Sequence, residues 1–127
     1  MLKVGRHASR PLDTSERTVL DQLLIRDFPG VAELREQAVD VQVVGRCGCG
    51  CPSIHLATTR DHRPAAIADG LVRSELRVSS VADAPEGDVI LFVKDGRLSY
   101  LEYVYYTDAP PSTWPPQERL RPFPTAG

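Results

Sequence analysis

Cys47, Cys49 and Cys51 are the residues whose type and spacing could do chemistry, in a Cys-Gly-Cys-Gly-Cys segment followed by Pro52. In a straight strand alternate residues point the same way but sit about 6.6 Å apart. Three sulfurs bound to one ion at about 2.3 Å must lie within about 4 Å of one another. The segment therefore gathers its thiols only if the chain reverses inside it, and Gly48, Gly50 and Pro52 are residue types suited to make the reversal. Folded so, it has Cys47 and Cys51 on two arms and Cys49 at the tip.

Three readings of this turn stay open. The first is a metal site in which the three sulfurs are joined by His55, or by the more distant His62, as a fourth ligand. Soft thiolates suit Zn(II) or Cu(I), and Zn is the expected cofactor of such a site. The second is redox chemistry, either a Cys47–Cys51 disulfide across the turn or a reactive thiolate beside the cation of Arg46. The third is packing, with the thiols as small apolar side chains filling the end of a hairpin. The paired C-x-x-C knuckles of zinc modules and a C-x-x-C redox motif in a βαβ context are both absent.

A second group with chemical content lies near the C-terminus, where Tyr100, Glu102, Tyr103 and Tyr105 fall in one strand-like run. Tyrosine offers apolar area with a polar tip, which suits a binding surface, and a partner protein or a second copy of the chain is the expected occupant. Alternation puts Tyr100 with Leu98 and Glu102 on one face and Tyr103 with Leu101 and Tyr105 on the other. No glycine-rich phosphate loop, nucleophile elbow or metalloprotease helix motif is present, so no catalytic residue is assigned.

Two helices and a sheet must position these groups. Asp13 and Glu16 read as a capping box that starts a helix carrying Val19, Leu20, Leu23, Leu24 and Phe28 on one face. Pro29-Gly30 breaks it, and Val31, Leu34 and Ala38 mark a second, shorter helix. From Val39 the period falls to two. Val39, Val41 and Val43 form one strand, and Ile54, Leu56 and Thr58 form another with Ser53, His55 and Ala57 opposite. Apolar positions are odd before the glycines and even after them, so a reversal or bulge lies between.

Asp61 to Gly70 reads as a loop, Val72 to Val78 as a strand, and Val89 to Val93, apolar throughout, as an interior strand. Asp95-Gly96 fits a two-residue hairpin loop that would set Val93 opposite Leu98, Leu91 opposite Tyr100 and Val89 opposite Glu102. The prolines after residue 108 exclude a central strand there, and Trp114 and Phe123 are the candidates to pin that tail down. The expected architecture is α+β: two N-terminal helices on one face of a mostly antiparallel four- to five-stranded sheet. Residues 1–11 form a flexible arm, 12–107 a single domain and 108–127 a Pro-rich extended tail.

Length and composition agree with one domain. The chain has 127 residues, 42% hydrophobic and 25% charged, which suffices for one buried core. A net charge of −2 with acidic and basic residues interspersed argues against nucleic acid, and no apolar run has the length of a membrane span. No signal-peptide pattern opens the chain, so the cytoplasm is the expected compartment and the thiols are expected to be free.

The segment Arg46 to Ser53, RCGCGCPS, together with DGRLSYLEYVYY and the proline-rich end, resembles a group of small proteins from high-GC actinobacteria. The resemblance implies a bacterial cytoplasmic origin and a common fold, and it carries no activity over. The functional expectation is a small non-enzymatic binding or regulatory domain. The alternative is a thiol-based metal (Zn or Cu) or redox protein using the Cys47, Cys49 and Cys51 turn.

Overall fold

A computed structural model of the chain describes residues 9–79 and 85–122. Helices α1 (Thr14–Leu24) and α2 (Val31–Ala38) precede most of the sheet. Its strands are β1 (Arg10–Pro11), β2 (Gln42–Arg46), β3 (Ile54–Ala57), β4 (Gly70–Ser79), β5 (Pro85–Lys94), β6 (Arg97–Tyr105) and β7 (Leu120–Pro122). They form one seven-stranded sheet in the order β1-β2-β3-β6-β5-β4-β7, and every pairing is antiparallel. The α+β class is as expected, but the strand number is not. The extra strands are short edges made by residues 10–11 and 120–122, which the sequence reading left in the arm and the tail. Phe123 and residues 1–8 lie outside the described residues.

Each helix starts and stops for a local reason. The Asp13 carboxylate accepts from the Glu16 N–H and the Glu16 carboxylate accepts from the Asp13 N–H, which closes the capping box. Glu16 also takes a two-pronged contact from Arg10, both bonds 2.8 Å. Burial alone would push the Glu16 carboxyl up, but the Arg10 fork, the Asp13 N–H and the charges of Arg10 and Arg46 outweigh it and hold it below its ordinary value of 4.5. At the other end of α1, Arg35 from α2 donates to the carbonyls of Leu24, Ile25 and Arg26, so one guanidinium caps one helix and ties it to the next.

Burial along β5 alternates, with Val89, Leu91 and Val93 fully covered and Ile90 and Phe92 half covered. The helices thus lie over one face. Their side chains Leu20, Leu23 and Leu34 meet Val43, Ile54, Leu76, Leu91 and Leu101 in a single core. Val39 is not part of it: it caps α2 and is 76% exposed, so the strand begins only after it.

The turn between β5 and β6 has Asp95 at φ 53 and Gly96 at φ 75, the two positive angles of the expected tight loop. Val93 pairs with Leu98 as the loop requires. Beyond that the register shifts, so that Leu91 faces Leu101 and Val89 faces Tyr103 rather than Tyr100 and Glu102. Ser99 is the extra residue of a bulge, which returns Leu98 to the same covered face as Leu101 and Tyr103.

Gln37, fully buried, joins α2 to this turn. Its amide N–H groups donate to the carbonyls of Arg63 and Gly96, and its oxygen accepts from the Leu98 N–H at 2.9 Å. Replacing Gln37 by Leu leaves three backbone groups without that partner, and we expect a loss of about 2–4 kcal/mol in a denaturant titration. Replacing Glu16 by Gln should cost about 1–3 kcal/mol at neutral pH. Because the folded carboxyl titrates below 4.5, its contribution is present above that pH and is lost as pH falls through the lowered folded value. The wild-type and Glu16→Gln stabilities should therefore converge in acid.

Candidate metal centre

The cysteine turn grows out of the β2–β3 hairpin. Val43 pairs with Leu56, then a bulge at Val44 shifts the ladder so that Gly45 faces His55 and Arg46 faces Ile54. The last rung is the Cys47 N–H donating to the Ser53 carbonyl at 3.1 Å. Five residues, 48 to 52, then close the loop. Gly50 has φ +94, a conformation that L side chains rarely adopt. Gly48 has no positive φ and open space about it, so only Gly50 is required by the backbone.

The reversal brings the thiols together. The three Sγ atoms of Cys47, Cys49 and Cys51 all lie within 4.8 Å of one another, the only such grouping of metal-ligating side chains among the described residues. Cys47 Sγ and Cys49 Sγ are 2.9 Å apart. The Cys51 N–H donates to Cys49 Sγ at 3.3 Å, and the Cys51 thiol donates to Ser53 Oγ at 3.4 Å. Exposure is graded across the group, from buried Cys51 through Cys47 to exposed Cys49.

Hydrogen bonding with the Cys47 thiol, and after it with Cys51, pushes the Cys49 thiol up to about 11. Burial pushes Cys51 up as well, but hydrogen bonding with Cys49 and with the Ser53 side chain and backbone outweighs it and holds that thiol below its ordinary value. Of these two thiols, the buried one is the more readily ionised. Tyr100 and Tyr105 lie within electrostatic reach of the group. Burial, with the nearby thiols and Glu102 adding, pushes the Tyr100 phenol up to about 12.

Ser53 is the residue the sequence reading placed on the wrong side. Alternation with Ile54 put it on the solvent face, yet it is fully buried, where the chain comes out of the bend at residues 51–52 and enters β3. Its hydroxyl accepts from the Tyr103 N–H of β6 at 2.9 Å while its carbonyl holds Cys47. Its position at the junction of strand and turn was the only sequence signal of this role.

His55, the expected fourth ligand, does not join the sulfurs. It sits on the open face opposite Gly45 with its ring tilted against Tyr100 at a centroid distance of 4.5 Å. His62 contacts Asp40 at 2.8 Å instead. The four residues of the expected binding surface divide between the two faces as alternation requires. Tyr100 and Glu102 are half-buried on the open side, whereas Tyr103 is buried and stacked with Trp114 at 5.8 Å, and Tyr105 packs against the core.

Comparison with protein-family models, with curated proteins and with solved structures finds no match to the chain. No helix among the described residues is long and apolar enough to cross a membrane.

Ser53→Ala strands the Tyr103 N–H and frees the base of the turn. We expect a stability loss of about 1–3 kcal/mol and, by amide hydrogen exchange, faster opening at Cys47 than at Val89. Equal protection at Cys47 in variant and wild type would show that the hydroxyl does not hold the turn.

Proposed function

We propose that the chain binds a soft metal ion through the thiolates of Cys47, Cys49 and Cys51. The observation that carries the reading is the convergence of three sulfurs within 4.8 Å. This is within reach of the roughly 4 Å separation that one shared ion imposes. Small-residue packing is a poorer account, because a side chain that only fills space is buried, and Cys49 is exposed. Soft sulfur donors select Zn(II) or Cu(I) over hard cations.

A role for the open sheet face in holding a partner protein or a second copy is the weaker reading. Of the four candidate residues it retains Tyr100 and Glu102, with Tyr103 under Trp114 and Tyr105 against the core. A thiol redox role uses the same sulfurs and competes with the metal, since joining any two leaves one donor.

The test is elemental analysis of protein purified under reducing conditions without chelator, alongside a Cys47→Ser, Cys49→Ser double variant that leaves buried Cys51 in place. About one equivalent of a soft metal should accompany the wild-type chain, and the variant should lose it while unfolding at the temperature of the metal-stripped wild-type chain. Equal metal content in the two proteins would refute the site.

A further inference from the structure

The number of donors narrows the ion. Structural zinc sites are closed by four protein ligands, and catalytic ones pair three protein ligands, histidine among them, with a water. Iron–sulfur clusters draw on four thiolates, two of them exchanged for histidines in Rieske centres. The described residues supply three sulfurs and no fourth donor in the group, and the two nearest histidines in the sequence lie outside it, His55 against Tyr100 and His62 bonded to Asp40. A donor set of sulfur alone, one short of four, matches the softest of the ions that thiolates select. Resting on the metal-binding reading above, we infer that the ion is monovalent copper, held three-coordinate by Cys47, Cys49 and Cys51.

The surroundings agree with that assignment. Binding releases the thiol protons to solvent as copper–sulfur bonds form, with no change of oxidation state. Three thiolates on a monovalent ion leave more negative charge than they would on zinc, and an apolar interior would resist that charge. Here the tip is open to water, with Gly48, Cys49 and Gly50 exposed. The Cys51 N–H already points at Cys49 Sγ, and such a bond strengthens when the acceptor is a thiolate. On the other side, buried Cys51, Pro52 and Ser53 wall the ion off. Copper therefore enters and leaves past Cys49.

The full-length protein, reduced and free of oxygen, is offered one equivalent each of Cu(I) and Zn(II). It is then challenged with bicinchoninate for Cu(I) and with 4-(2-pyridylazo)resorcinol for Zn(II). The expected result is Cu(I) retained and Zn(II) lost to its chelator. X-ray absorption at the copper edge should give three sulfur neighbours and no nitrogen or oxygen neighbour. Zn(II) retained as well as or better than Cu(I), or copper with a nitrogen or oxygen neighbour, overturns the copper assignment and leaves the metal-binding reading standing. Loss of both ions overturns both.

Discussion

One hydroxyl governs the geometry on which the candidate site depends. Where β3 begins, the Ser53 side chain accepts from the Tyr103 N–H of β6, so this backbone donor is satisfied without a further residue of strand. The chain is thereby released to bend while its base stays fixed to the centre of the sheet. The same residue's carbonyl accepts from Cys47, and its hydroxyl accepts from the Cys51 thiol. Both arms of the turn are referred to a single buried residue. An unpaired N–H at that depth costs about 1–3 kcal/mol, so the bend that gathers the thiols depends on the hydroxyl standing in for the acceptor that a longer strand would supply.

The features that could be read from the sequence are those whose physics is local. The Asp13/Glu16 capping box, the Pro29-Gly30 break and the Asp95-Gly96 turn each involve residues at most three apart, and each stands where its side chains demand. Bulges are different. Val44 and Ser99 each add one residue to a ladder, and neither type announces it. Every pairing extrapolated past such a point is then displaced, as Leu91 and Val89 were. The edge strands were invisible for a related reason: with two or three residues they have no periodicity, and only the partner strand makes them strands.

The candidate site divides in the same way. That the thiols could meet only in a turn followed from spacing alone, and Gly50 with its positive φ supplies the bend. The fourth ligand was a misjudgement of direction. His55 is four residues from Cys51 and close in sequence, but as an outward residue of β3 it belongs to the open face with Tyr100, while the sulfurs gather beyond the strand's end. Proximity along a chain says little about convergence once an element of fixed pleat intervenes.

The core extends from the helices to β7 through Leu20, Leu34, Ile54, Leu91 and Leu101 without recourse to the cysteine turn. In small zinc modules the metal is the folding nucleus, so the free energy of binding is largely consumed in ordering the chain. Here Gln37, the Arg35 cap and the seven-stranded ladder order the chain first, and the hairpin projects from them with its donors already assembled. An ion taken up at such a tip would add its binding free energy to a fold that is already ordered, and removing it would leave that fold standing. With one sulfur exposed and one buried, exchange of such an ion would run through Cys49 against a fixed wall at Cys51. That asymmetry suits a site that fills and empties more than one that staples a structure together.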